Sequence, residues 1–420
     1  MTHLETTTDQ FQPRSPVLKT LVERGFVNQA TDLAGIDSAF EGGIVPAYIG
    51  FDATADSLHV GHLLPIMTLR RLQQAGHKPI VLIGGGTTRI GDPSFRSEVR
   101  PMLTDEQIAS NIAGIRKVFD RLLVFGDGPT DAVMVNNADW LDNIRWIDML
   151  RDIGRHFSVN RMLSFDSVRS RLEKQENLSF LEFNYMILQA FDFLELSRRT
   201  GCRLQMGGAD QWGNIINGIE LVRRTEGQEV FGMTAPLLTT SSGVKMGKTA
   251  AGAVWLNEDR LSPYDYWQFW RNTEDADVVR FLKLFTDLPM DEIERLGRAK
   301  GAELNAVKAR LAHEATCLAH GIAAAKEAAA TARQTFEHGE AAQGLPTLQL
   351  NDEERSAGVS LVDLLVRTGL SSSKSEARRA IASRGVRLDG SVVEDLDLVV
   401  LVQPYPVRVS LGRKRHAVIK

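Results

Sequence analysis

Through the first half of the chain, short apolar runs closed by glycine alternate with longer segments whose apolar residues recur every three or four positions. Ile44–Phe51, Pro79–Ile83, Ala132–Val135 and Arg203–Met206 have the length and composition of buried strands. The stretches between them carry helix signals. Ser15-Pro16 offers an N-cap and a first-turn proline ahead of Val17, Leu18, Leu21 and Val22, and Gly25 ends that helix. A helix over Leu63–Leu72 continues from His59-Val60-Gly61-His62. Pro65 fits only in its first turn, where a missing N–H costs nothing. Phe180–Leu196 is apolar almost all round and predicts a buried helix. Strand–helix alternation argues for an α/β fold with a doubly wound parallel sheet, whose ligands bind beyond the carboxyl ends of the strands.

From Ser262 to about Gly344 the pattern turns helical and rich in Ala, Glu and Lys. Pro346, glycines and acids then read as a linker. Ser371-Ser372-Ser373 caps a short helix, Lys374–Ser383, and Val386–Leu388, the Asp389-Gly390 turn and Val392-Val393 read as a hairpin. The expected organisation is a disordered tail over 1–14, an α/β domain over 15–240, a loop and α-helical domain over 241–345, the linker over 346–358 and a small α+β module over 359–420.

Composition narrows the classes. With 43% hydrophobic and 24% charged residues the chain is ordinary globular protein, and 420 residues suffice for two or three domains. A net charge of -4 gives no global field for nucleic acid, so such contact must come from local patches. Residues 371–420 form one, with ten Lys/Arg against five Asp/Glu. Two cysteines, Cys202 and Cys317, are too few for a disulfide framework or a zinc site. No apolar run reaches about 18 residues, and the polar first 14 residues lack a signal-peptide core. A cytoplasmic protein without membrane contact is the simplest inference.

The chemistry starts at Tyr48-Ile49-Gly50-Phe51-Asp52-Ala53-Thr54, which leads through a polar turn to His59-Val60-Gly61-His62. A strand entering a helix through such a turn favours an anion, by free backbone N–H groups and the helix dipole. The two histidines can donate to a phosphate that gains charge, and Gly61 lets a flat base or ribose approach. Taken alone, the quartet reads equally as capping or surface histidines around a packing glycine. Extended by Tyr48, Gly50, Asp52 and Thr54, it resembles the first signature of class I aminoacyl-tRNA synthetases, in the form of the bacterial tyrosyl enzymes. Lys245-Met246-Gly247-Lys248-Thr249, after the Ser241–Gly243 turn, resembles the second signature, a mobile loop whose lysines close on a polyphosphate as point charges. The family commonly has Ser where Gly247 and Thr249 stand; Thr249 keeps the hydroxyl and Gly247 adds flexibility. Gly207-Gly208-Ala209-Asp210-Gln211-Trp212-Gly213-Asn214 matches a third stretch of the tyrosyl enzymes.

On the apolar helix, Tyr185, Gln189 and Asp192 share one face by their spacing, either bonding one another in the core or lining a polar cavity. The resemblance implies the cavity. Asp192 and Tyr48 would then bind the phenol of tyrosine, while Tyr185, Gln189 and Asp92 hold its ammonium. Phenylalanine would leave the phenol site unpaired. The resemblance further implies an ATP site of Gly50, Asp52, His59, Gly61, His62, Gly208, Asp210, Gln211, Lys245, Lys248 and Thr249. Charge moving to pyrophosphate would fall to Thr54, His59, His62, Lys245 and Lys248, with Arg96 and Arg100 as secondary contacts. Mg²⁺ would arrive with ATP, held mainly by phosphates, with no protein metal ligand and no prosthetic group. The implied activity is a tyrosine–tRNA ligase: tyrosine and ATP give tyrosyl-adenylate and pyrophosphate, and tRNA(Tyr) then takes the tyrosyl group. The basic end resembles the S4-type RNA-binding module of these enzymes, with Lys374, Arg378, Arg379, Arg413, Lys414 and Arg415 as phosphate contacts. A homodimer is implied in the same way. The rival readings are a small-molecule nucleotidyltransferase, opposed by Lys245–Thr249 and the basic module; a tryptophanyl enzyme, opposed by Tyr48 with Asp192; and a silent RNA-binding relative, opposed by the intact signatures. No G-x-G-x-x-G follows the first strand, which opposes a dehydrogenase.

Overall fold

The computed structural model describes residues 11–92, 102–243, 245–249, 252–337, 345–402, 406–412 and 415–420. They form two units. The first comprises Met1–Lys245 with Arg280–Phe285, the second Met246–Val279 with Thr286–Lys420.

The first unit is built on six strands: β1 (Gln29–Ala30), β2 (Pro46–Phe51), β3 (Lys78–Ile83), β4 (Val133–Asn136), β5 (Leu204–Gly208) and β6 (Phe231–Ala235). Their order is β1-β6-β5-β2-β3-β4, parallel except for β1, which pairs antiparallel with β6. The expected parallel sheet is therefore largely parallel with one antiparallel edge. Two strands, β1 and β6, escape the pattern reading. Strand β6 is fully buried, but Gly232 interrupts its apolar run, because a Cβ there would stand 2.3 Å from Ile215 Cγ2.

Chain order reverses at β2, which lies between β3 and β5. A crevice opens outside the carboxyl ends at such a reversal. Helix α1 (Pro16–Arg24) begins at Ser15, whose hydroxyl caps Leu18 and bonds Asp37 at 2.6 Å. Helix α2 (Leu33–Glu41) follows, and α3 (Leu63–Gln74) continues from a 3₁₀ turn at Val60–His62, with Pro65 in its first turn. Helix α4 (Asp105–Leu122) opens with a Thr104–Gln107 capping box, and the short α5 (Ala138–Leu141) follows β4. The long helix Phe180–Thr200, termed the pocket helix, runs from a Ser179–Glu182 capping box to Gly201 in the left-handed region. It packs with the helix Trp212–Glu226 against the sheet, in a core that includes Tyr48, Leu82, Phe193, Leu194, Ile215 and Ile219.

In the second unit the end of the second-signature stretch, β7 (Lys248–Thr249), pairs antiparallel with β8 (Gly252–Ala253). Helices Pro263–Arg271, Glu303–His320 and Ile322–Glu337 pack around Tyr266 and Trp270. The stretch 346–358 is folded, contrary to the linker reading. It holds β9 (Thr347–Leu348) and a capped helix, Asp352–Ala357. Beyond it come β10 (Val359–Ser360), β11 (Val386–Leu388), β12 (Ser391–Val392), β13 (Val399–Val400), β14 (Val407–Leu411) and β15 (Arg415–Ile419). Four of these form a sheet with β9 in the order β12-β11-β14-β15-β9, and β9 pairs in parallel with β15. The β11–β12 hairpin turns at Asp389 and Gly390, both at positive φ. Among the described residues no helix is long and apolar enough to cross a membrane.

Candidate active site

The carboxyl ends of β2, β3, β4 and β5 each deliver polar groups to the crevice. Strand β2 exposes only Gly50, where a Cβ would reach nothing closer than Leu82 at 3.8 Å, and so leaves an open floor. Beyond it, Asp52 accepts from Thr87 Oγ1 at 2.8 Å and from the Tyr185 hydroxyl at 3.1 Å. The glycine run after β3 sits against β4: Gly85 N donates to Asn136 Oδ1 and Gly86 N to Asn137 Oδ1. A larger residue would displace these side chains, since a Cβ on Gly84 would stand 2.2 Å from Asp52 Oδ1 and one on Gly85 2.3 Å from Asn136 Oδ1.

Asn137 is the hub. Its amide nitrogen donates to Thr87 Oγ1 and to Asp192 Oδ2, both at 3.0 Å, so both its N–H groups are used. Trp140 Nε1 donates to the other oxygen, Asp192 Oδ1, at 2.8 Å. Asp192 is 2% exposed, and burial pushes its carboxyl up to about 7 despite the Asn137 and Trp140 donors. Beside it lies Tyr48, 1% exposed, its ring tilted against Phe193 at 5.4 Å. Burial raises the Tyr48 phenol well above its ordinary value, and the nearby Asp192 adds to this. The Tyr48 hydroxyl has no hydrogen-bond partner among the described residues. A buried hydroxyl without a partner is unfavourable and calls for one supplied from outside.

A second network starts from β5. Gln211 Nε2 donates to Asp92 Oδ2 at 2.8 Å; Asn214 Nδ2 donates to Gln189 Oε1 at 2.9 Å and Gln211 Oε1 at 3.2 Å. Burial, then Asp52, Asp92 and Asp192, raise the Tyr185 phenol. The cluster of carboxylates makes this part of the crevice receptive to a cation. Burial and Asp92 also raise Asp210, while Lys245 opposes them.

His59 and His62 form a reciprocal cap. His59 Nδ1 accepts from Gly61 N at 3.0 Å, and His62 Nδ1 accepts from His59 N at 3.3 Å. With Nδ1 an acceptor in both neutral rings, each ring's proton sits on Nε2. The rings lie 4.0 Å apart at the start of α3. Thr54 is exposed, and so is Lys245, which bridges to Thr239.

Of the residues singled out in the sequence, Asp52, Tyr185 and Asp192 lie in the first network with Tyr48 beside Asp192, and Asp92, Gln189 and Gln211 lie in the second, with Asp210 next to Gln211. Sequence reasoning misses Asn137, Trp140, Thr87 and Asn214. The signal for the first two is Asn136-Asn137 with Trp140, directly after a strand end, the same kind of place that singles out Asp92. Gly61 and Gly208 lie where expected, in the His-Val-Gly-His turn and at the end of β5. The side chains of Lys248 and Thr249, and Arg96, Arg100, Arg413 and Lys414, lie outside the described residues. In the basic module Lys374 is paired with Asp363 at 2.7 Å, and Arg415 donates to Leu370 O at 2.8 Å; Arg378 and Arg379 are exposed.

Residues 43–337 match the family of class I tRNA synthetases (W and Y), and residues 337–404 match the SYY-like C-terminal domain of tyrosine–tRNA ligases. A tyrosine–tRNA ligase from Dinoroseobacter shibae is 59% identical over 412 residues, 98% of this chain and 99% of its own. One from Zymomonas mobilis is 61% identical over 409 residues, 97% and 99% of the two. A C-terminally truncated mitochondrial tyrosyl-tRNA synthetase from Aspergillus nidulans superposes with a TM-score of 0.70 at 31% identity, covering 77% of this chain and 95% of that one.

Proposed function

The chain belongs to the class I tRNA synthetases of the tryptophan and tyrosine group, and from that membership we infer a tyrosine–tRNA ligase whose site residues act in two steps. In the first, the carboxylate of tyrosine attacks the α-phosphorus of ATP in line. A new O–P bond forms, the bond to pyrophosphate breaks, and tyrosyl-adenylate remains. The nucleophile is already ionised, so no protein base is needed. Catalysis comes from holding the reactants together and stabilising the charge that moves to pyrophosphate. Thr54, the Nε2–H groups of His59 and His62, and Lys245 and Lys248 take that role. In the second step a terminal ribose hydroxyl of tRNA(Tyr) attacks the activated carbonyl and AMP leaves.

Tyr48 beside Asp192 is the observation that carries this reading. A phenol placed there donates to Asp192 and accepts from Tyr48, which supplies the missing partner. The carboxylates around Tyr185 suit the ammonium at the other end, with Asp92 and Gln189 alongside. Asp210 and Gln211 take the ribose and the reacting carboxylate, while Gly50, Gly61 and Gly208 leave room for the nucleotide. Asp52 bonds Thr87 and Tyr185, so its part in ATP binding is indirect, through the shape of the turn. Mg²⁺ accompanies ATP.

The C-terminal sheet with the helix Lys374–Ala382 serves as an S4-like RNA-binding module in which Arg378 and Arg379 meet phosphate directly. Lys374 and Arg415 work mainly within the module, given their partners. Homodimerisation uses the segment 146–181, where Trp146 (55% exposed) stacks edge-on with Phe180 (68% exposed), and Ile147, Leu150, Val159 and Leu181 add exposed apolar surface. The enzyme works in the cytoplasm, where its three substrates meet. Amino-acid-dependent ATP–pyrophosphate exchange tests the reading: it should respond to tyrosine and hardly to phenylalanine or tryptophan. Equal response to tryptophan would reject it.

A further inference from the structure

Helix α4 carries a glycine near its middle, Gly114, where glycine weakens a helix relative to alanine. Packing explains it. A Cβ on Gly114 would stand 1.9 Å from the backbone oxygen of Asp56, well inside the 3.0 Å that real Cβ atoms keep. The helix backbone therefore lies directly on the backbone of the turn 53–58. Three residues earlier, on the same face, Asn111 Nδ2 donates to Ala53 O at 2.8 Å. From the other side Ala53 N donates to Thr88 Oγ1, also at 2.8 Å. The start of α4 is tied to the same 3₁₀ turn that carries Thr88. Arg89 of that turn bonds Asp105 at 2.9 Å and Asp142 at 2.7 Å. The clamped turn presents Thr54 and then passes through buried Ser57 and Leu58 to His59.

We propose that Asn111 and Gly114 are positioning residues for adenylate formation, setting where Thr54 and His59 meet the phosphates of ATP. This rests on the ligase reading. The two act through the turn, so they govern the chemical step and leave the tyrosine end alone.

The test is tyrosine-dependent exchange, with tyrosine affinity measured by equilibrium dialysis, on full-length wild type, Asn111→Asp, Asn111→Gln and Gly114→Ala. Asn111→Asp keeps the size and removes the donor. It should lower kcat about tenfold with tyrosine Kd unchanged, the loss expected for one buried hydrogen bond. Asn111→Gln keeps the donor and should recover part of that loss. Gly114→Ala must part the two backbones by roughly 1 Å, and should lower kcat on the order of 10²-fold. Wild-type kcat in Asn111→Asp and Gly114→Ala would overturn the proposal. So would tyrosine affinity falling in step with kcat, the mark of general damage. Should Gly114→Ala fail to fold, the Asp and Gln variants decide. A wild type inert towards tyrosine would reject the ligase reading itself, a result separate from any difference between wild type and variants.

Discussion

At the end of the crevice that the proposed function gives to the amino acid, Asp192 receives hydrogen bonds from Asn137 and Trp140, and Asn137 is held in turn by the glycine run and by Thr87. At the end proposed to take the nucleotide, His59 and His62 are half-buried and Thr54 and Lys245 are exposed. The contrast follows from what each end must do. Telling one amino acid from another requires that a wrong guest leave a polar group stranded, so the site must be dry and rigid beforehand. Stabilising charge on a departing polyphosphate requires cations and donors that can follow it, so that end stays open. One fold supplies both because the turns leaving β3 and β4 bond one another and the pocket helix, whereas the turn leaving β2 is held from behind by Asn111 and Thr88 and leaves Thr54 exposed.

The largest blow to this division is expected from Asp192→Ala. It removes the acceptor for the phenol and strands the Asn137 and Trp140 donors. Tyrosine kcat/KM should fall on the order of 10³-fold, about 4 kcal/mol. If exchange survives within tenfold, the rigid end is not where tyrosine is read. His62→Ala comes next, with kcat falling about 10²-fold as expected for one lost transition-state donor. Tyrosine Kd should stay at the wild-type value; a parallel loss of affinity would mean that the two ends are not separate.

Those two ends were unequally legible in the sequence. The spacing of Tyr185, Gln189 and Asp192 on an apolar helix is a local pattern, and helical geometry makes it a face. What Asp192 bonds to is a tertiary matter: Asn137 and Trp140 lie on another strand end, over 50 positions away, and nothing in the periodicity of either segment names the other. Strand β6 was hidden by Gly232, small because Ile215 needs its space. The stretch 346–358 misled for a related reason. Its proline, glycine and acids describe its exposure, whereas β9 is made a strand by β15 at the far end of the chain, through Val418 and Ile419. The histidine turn was easier to read because the bonds among His59, Gly61 and His62 are local.

Trp140→Phe sharpens the comparison by keeping the ring and removing one donor to Asp192. A hydrogen bond to a charged group is worth about 1.5 kcal/mol or somewhat more, so tyrosine affinity should weaken roughly tenfold. The same change removes a group that holds Asp192 ionised, so the carboxyl should titrate higher still. Tyrosine binding measured against pH should therefore move its midpoint upward relative to wild type, while kcat at saturating tyrosine and high pH stays close to it. A midpoint unmoved by the loss of the indole N–H would separate Trp140 from the charge state of Asp192.

The smallest effect is also the most diagnostic, because its sign is opposite in two measurements. Burial lifts the Asp192 carboxyl from an ordinary 3.8 to about 7. The ionised form accepts the phenol, so tyrosine affinity should fall as pH drops through 7, by about fourfold between pH 8 and 6.5 for a single group of this pKa. For folding the same shift acts the other way. A carboxyl raised above its unfolded value contributes stability below about pH 4, and that contribution is lost as pH rises through 7. The tyrosine-free chain should lose melting temperature from this group between pH 5 and 8, while the increment added by saturating tyrosine grows. Thermal melts with and without tyrosine across that range measure both. If increment and affinity fail to rise together, the group that titrates is not the one that reads the phenol.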